Sequence, residues 1–106
     1  MPVTAATDQT FDAMIKDSPV PVLVDFWAPW CGPCRHLAPH VERIASEMPD
    51  ALRVVKLDTD QNPQTSERYK VRSIPLLMLF NKGQFVAQSV GAVPYEAVKS
   101  LVAKAT

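Results

Sequence analysis

The sequence predicts an α/β fold, and three observations lead there. Two apolar, strand-like runs, Val22–Trp27 and Leu52–Asp58, alternate with segments whose apolar residues recur at helical spacing. Two further apolar runs, Leu76–Phe80 and Phe85–Val90, flank Asn81-Lys82-Gly83-Gln84, a turn-rich connection suited to an antiparallel hairpin. The chain has 106 residues, 47% of them hydrophobic, which is enough for one core and too few for two, so a single domain over residues 1–106 is expected.

Taken in order, Thr7 or Asp8 can cap a short helix whose buried face is Phe11, Met14 and Ile15 and which stops at Ser18-Pro19. Val22–Trp27 is apolar on both alternating faces apart from Asp25, the pattern of a strand covered on each side. Ala28-Pro29-Trp30 turns the chain. From Cys31 to about Met48, Leu37, Val41, Ile44, Ala45 and Met48 form one buried stripe of a long helix, with Pro39 inside it as an expected kink. Leu52–Asp58 is the second strand. Asn62-Pro63 supplies a cap and first-turn proline for a short helix through Tyr69. The hairpin follows, ended by Gly91, and a last helix from about Pro94 buries Tyr95, Val98, Leu101 and Val102.

Eleven basic and eleven acidic side chains balance, which argues against disorder and against a basic face for nucleic acid. The N-terminal residues lack the cationic start and apolar stretch of a secretory signal, and no later run could span a bilayer. A cytoplasmic protein is expected, or the mature form of an imported one. Two cysteines in such a chain fit a reducing compartment, where a disulfide is transient and catalytic.

Both cysteines fall in Trp30-Cys31-Gly32-Pro33-Cys34, between the first strand and the long helix. At a helix N-terminus, unpaired backbone N–H groups and the dipole favour thiolate over thiol, which makes Cys31 the candidate nucleophile. Cys34, three residues on, shares its helical face, lies one turn deeper and is expected to be less accessible; it is the candidate resolving thiol. Gly32 permits close approach of another backbone, and Pro33 needs no N–H partner while restricting the thiols' motion.

Other readings compete. A structural disulfide closing so small a loop would constrain the unfolded chain very little. Cys31, Cys34, His36 and His40 could be four zinc ligands, but at about 100° per residue the histidines project from roughly the opposite side of one helix, so no metal site is assigned. The histidines read as surface positions. Two inert buried cysteines stay open as an alternative at this point, although they would not need to flank Gly-Pro at the head of a helix.

Asp25 is an acid among large apolar neighbours. Buried there, its pKa would rise, and it could accept the proton of Cys34. Lys56, among Val54, Val55 and Leu57, could pair with Asp25 and modulate it, or extend to solvent. The residues leave both outcomes open.

Val24-Asp25-Phe26-Trp27-Ala28-Pro29-Trp30-Cys31-Gly32-Pro33-Cys34-Arg35 resembles the active-site segment of the thioredoxin family, in the form found in bacterial, cyanobacterial and plastid m-like members. The resemblance covers the whole chain: Pro39, Asp58 with Asp60, Ile74-Pro75, Gly83 and Val90-Gly91 follow in the family's order. It implies a central mixed sheet with helices on both faces and a general protein dithiol-disulfide oxidoreductase. It also implies that Ile74-Pro75 is cis, and that Trp30, Pro33, Ile74, Pro75, Val90, Gly91 and Ala92 form a flat substrate-binding platform. No bound cofactor is implied; electrons would come from NADPH or ferredoxin through a thioredoxin reductase. The implied partners are that reductase and diverse disulfide-containing proteins, with no nucleic acid or membrane, and the implied state is a monomer in the cytoplasm or, for a mature form, the plastid stroma. Ser73, Leu76, His36 and His40 depart from the common pattern and bear on partner choice.

Overall fold

The computed structural model describes residues 3–106. Met1 and Pro2, part of the N-terminal stretch read above for a targeting signal, lie outside the described residues. The elements are β1 (Val3–Ala5), α1 (Phe11–Lys16), β2 (Val22–Trp27), α2 (Gly32–Glu47), β3 (Arg53–Asp58), α3 (Pro63–Arg68), β4 (Leu76–Asn81), β5 (Gln84–Val90) and α4 (Tyr95–Val102). Every element read from the sequence is present within one or two residues. One was missed: β1, too short to carry a period of its own, is made a strand by parallel pairing with β3, Val3 opposite Val54 and Ala5 opposite Lys56.

The sheet has the order β1-β3-β2-β4-β5. Strands β1, β3 and β2 run parallel, while β4 is antiparallel to both β2 and β5, so the sheet is mixed as the resemblance implied. Alternation along β2 divides the core in two. Val22, Val24 and Phe26 point to the side of α1, where they join Phe11, Ile15, Val55, Leu57 and Phe80. Leu23 points to the other side, into the cluster built from Leu37, Val41 and Ile44 of α2 and Val98, Leu101 and Val102 of α4. Asp25 and Trp27 share the parity of Leu23 and therefore lie on the α2 side. Tyr95 ties α4 to α2: its hydroxyl donates to the Glu47 carboxylate, and the Arg43 guanidinium carbon sits 3.7 Å from its ring centroid.

The caps differ from the expected ones. Asp8 does not cap α1; its carboxylate accepts from the backbone N–H groups of Gln64 (3.2 Å) and Thr65 (2.8 Å) and so caps α3, 56 and 57 residues away. Asn62 stands at the N-cap position of α3 without capping it, because its Oδ1 accepts from the Asp8 N–H at 2.9 Å. Thr7 pairs with Thr10 ahead of α1. The long helix continues through Pro39 to Glu47, although the proline has no N–H for the Arg35 carbonyl.

The hairpin turn has Lys82 at φ 53° and Gly83 at φ 79°, the two left-handed residues of a tight primed turn. A Cβ on Gly83 would lie 2.9 Å from Lys16 Cγ. Gly83→Ala is accordingly expected to destabilise the fold by about 1–2 kcal/mol, read as a lower denaturant midpoint at unchanged slope. An unchanged midpoint would show that the turn relaxes freely against α1.

Candidate active site

Strand β2 ends at Trp27, and the chain turns through Ala28-Pro29-Trp30, closed by the Cys31 N–H donating to the Ala28 carbonyl at 3.1 Å. Cys31 is the N-cap of α2 in extended geometry, φ −88° and ψ 104°, and its sulfur accepts the Cys34 backbone N–H at 3.2 Å. That bond is the local consequence of the helix terminus: a free amide of the first turn finds the sulfur as its acceptor. Pro33 lies in the same turn, where its missing N–H removes no helical bond.

Cys31 and Cys34 form a disulfide with Cα atoms 5.3 Å apart. The pair packs against Ala28, Trp27 and Ile74. The expected contrast in accessibility is absent in this oxidised state, since Cys31 is 3% and Cys34 4% exposed. The short link draws both sulfurs under the same cover, so their difference rests on the helix terminus.

The segments before β4 and after β5 meet beside the pair. The Ile74–Pro75 bond is cis. The Gly91 N–H donates to the Pro75 carbonyl at 2.8 Å, tying the loop after β5 to that peptide. Gly91 itself has φ 96°, where side chains are disfavoured. Pro75 is buried, so its ring is not a surface of the site; Trp30 at 67% and Val90 at 55% are strongly exposed, Ala92 and Pro33 are also exposed, and Ile74 and Gly91 are half-buried.

Residues not singled out as site positions support this arrangement. Trp30 is held by its indole N–H donating to Asp60 Oδ2 at 2.9 Å, and Asp60 in turn donates its backbone N–H to Asp58 Oδ1 at 2.9 Å. Arg35 Nη1 donates to the Pro29 carbonyl at 2.9 Å and braces the turn before Cys31. Trp27 is the notable omission. Its half-buried place on the Asp25 side of β2 follows from the strand's two-residue period, a signal present in the sequence.

Asp25 is 6% exposed, and its Oδ1 has no protein hydrogen-bond partner among the described residues. Burial pushes its pKa from 3.8 up to about 7, with the positive charge of Lys56 pulling weakly the other way. Lys56 is directly opposite Asp25 in the β2–β3 register. It nonetheless extends to solvent, with Nζ 5.5 Å from the Trp27 ring centroid, and makes no ion pair with Asp25 among the described residues. Of the two outcomes left open, the lysine takes the solvated one and acts on the acid only through its field. Asp25 and Cys34 line one cavity of about 630 Å³ between α2 and the sheet.

His36 is exposed and His40 half-buried, with its ring 6.3 Å from that of Tyr95, so neither reaches the cysteines' side of the helix. Among the described residues, no three His, Cys, Asp or Glu side chains are grouped to hold a metal ion.

A disulfide between residues three apart, seated at the head of a helix on a mixed five-stranded sheet, defines a thiol-disulfide oxidoreductase. The comparisons with known proteins give the family. The thioredoxin family model matches residues 2–104. The chain is 53% identical to thioredoxin 1 of Nostoc sp. over 98 residues, 92% of each chain. It is 52% identical to a thioredoxin of Synechocystis sp. over 104 residues, 94% of this chain and 97% of the other. It is also 49% identical to a chloroplastic M-type thioredoxin of Chlamydomonas reinhardtii over 100 residues, 94% of this chain and 71% of the other. The chain belongs to the thioredoxin family and is a redox-active dithiol-disulfide oxidoreductase.

Proposed function

We propose that residues 1–106 act as one domain, a monomeric general reductant of protein disulfides recycled by a thioredoxin reductase. The observation that carries this reading is the position of Cys31 Sγ, which accepts an N–H at the head of α2 in the cluster that includes Ile74. In the reduced protein, Cys31 thiolate attacks one sulfur of a substrate disulfide, forms a mixed disulfide and releases the other substrate sulfur as a thiolate. Cys34 gives its proton to the Asp25 carboxylate and attacks Cys31 Sγ. The second substrate sulfur leaves, and Cys31–Cys34 holds the disulfide. Two electrons pass to the substrate and are replaced through the reductase from NADPH or ferredoxin. Gly32 and Pro33 keep the thiols in reach of one another, and Lys56 moderates the acidity of Asp25.

Trp30, Ile74, Val90, Gly91 and Ala92, with the backbone of Pro75, form the surface on which the substrate segment lies. A cytoplasmic location fits this chemistry, and the plastid stroma is the alternative, supported by the chloroplastic relative. The direct test is Cys34→Ser in cell extract, expected to accumulate reductant-labile mixed disulfides with substrates and with the reductase. A chain that captures none under these conditions would not be a disulfide reductant.

The docking surface is better probed at Ala92 than at Gly91, whose positive φ would add backbone strain to any substitution. Ala92→Glu should reduce turnover of insulin disulfides by about tenfold while leaving a small aromatic disulfide within about twofold, because a docked polypeptide would strip solvent from the new carboxylate, whereas a small reagent leaves it hydrated. Equal losses on both reagents would remove Ala92 from the docking surface.

A further inference from the structure

We propose that the docking surface continues along β5 as an apolar strip ending at Phe85, and that it favours disulfide polypeptides carrying a large apolar side chain about four to six residues from the reactive cysteine. The inference rests on the reading that Val90, Gly91 and Ala92 receive the substrate segment. Among the described residues, the large hydrophobic side chains left exposed are Trp30, Phe85, Val86 and Val90. Three of the four belong to β5, and Val90 already lies on the docking surface.

A β-bulge creates the strip. On β4, Leu77 and Leu79 join the core on the α2 side, whereas Leu76, Met78 and Phe80 join the core on the α1 side. Val90 lies opposite Leu76, Gln88 opposite Met78 and Ala87 opposite Leu79, so unbroken pairing would set Val86 opposite Phe80 and turn Phe85 to the α2 side. The register instead skips Val86 and sets Phe85 opposite Phe80, which moves the ring onto the face of Val90. There it meets the Phe80 ring edge-on at 6.2 Å and is still 52% exposed. Phe11 and Tyr69 hold the Phe80 ring in turn, so Phe85 is positioned before a partner arrives. From Val90 to Phe85 the strip runs beside Leu76 to Phe80, about 14 Å at strand rise, which about four residues of an extended partner cover. No residue of β5 is charged, and β5 has a neighbouring strand on one side only, so the strip is open and free of charge along its length. Aromatic anchors in a setting depleted of charge are the mark of an interface core.

The test gives the reduced chain symmetrical peptide disulfides, each peptide joined to its copy through its single cysteine, and measures the released thiol by chromatography after acid quench. One peptide carries phenylalanine at the fifth residue after the cysteine, a second at the fifth residue before it, and each has a control with serine in that place; all other residues are glycine or serine. At least one phenylalanine peptide should be reduced about fivefold faster than its serine control, the gain expected from partial burial of one aromatic side chain. Phe85→Ser should erase that advantage while reducing the serine peptides within about twofold of the wild-type rate. If this variant misfolds, Gln88→Glu, which puts a charge midway along the strip and keeps the Phe85–Phe80 contact, should erase the advantage in its place. Equal rates for phenylalanine and serine peptides, or an advantage that survives in the folded variant, would overturn the proposal and end the docking surface at Val90. A wild-type chain that reduces none of the peptides would remove the disulfide-reductant reading as well. A wild-type dimer in sedimentation that Phe85→Ser dissociates would overturn the proposal by assigning the strip to a second copy of the chain.

Discussion

Cys31→Ser should reduce catalysed disulfide reduction to the uncatalysed background, because a serine hydroxyl cannot form the mixed disulfide and Cys34 has no helix terminus of its own. Cys34→Ser should keep the first attack and stop there. Alkylation of the reduced wild-type chain near neutral pH should label Cys31 first, since its sulfur accepts the first-turn N–H at 3.2 Å and Cys34 has no comparable donor among the described residues. In the disulfide form the two residues are equally covered, 3% and 4% exposed. Faster labelling of Cys34, or residual turnover in Cys31→Ser, would reverse the two roles.

Asp25→Asn carries the second large effect, in opposite directions on rate and stability. The carboxyl is held at about 7 against an ordinary 3.8, so between those values the folded state binds the proton that the unfolded state has lost. Stability therefore falls as pH rises from about 4 to about 7 and stays low above it, by on the order of 4 kcal/mol at most. An amide cannot ionise, so Asp25→Asn should be the more stable protein above pH 7, with the gain fading towards pH 4. The resolving step should change the other way. In the wild type its rate should rise through pH 7 as the carboxylate forms, and in the variant that rise should vanish with a slowing of about 100-fold. Stopped-flow reduction across pH, paired with denaturant unfolding of the oxidised forms, reads both. A variant with wild-type resolution kinetics would leave Asp25 as a buried acid with no catalytic part.

How much of this was legible beforehand depended on the range of the interaction involved. The burial of Asp25 could be read from Val22, Leu23, Val24, Phe26 and Trp27 around it, and the place of Cys31 at a helix head from the stripe Leu37, Val41, Ile44 that follows it. Both are local patterns with a period. The short N-terminal strand was not legible, because Val3–Ala5 becomes a strand only by finding β3 some fifty residues later. Asp8 looked like the cap of the helix beside it and caps a distant one instead, a choice made by where the chain brings α3.

By itself, the sequence determined the α/β order, the two faces of β2 and the position of the cysteine pair at a helix head, since each is written in spacing along the chain, and its motifs carried the resemblance to the thioredoxin family that the comparisons then showed. The tertiary structure alone decided that Lys56 reaches solvent over Trp27 and does not pair with its register neighbour Asp25, that Pro75 is buried, and that the two cysteines are equally covered. The physical reason is common to all three. Periodicity states which side of an element a residue faces, but the solvent, charge or empty space waiting on that side is supplied by segments packed from elsewhere in the chain.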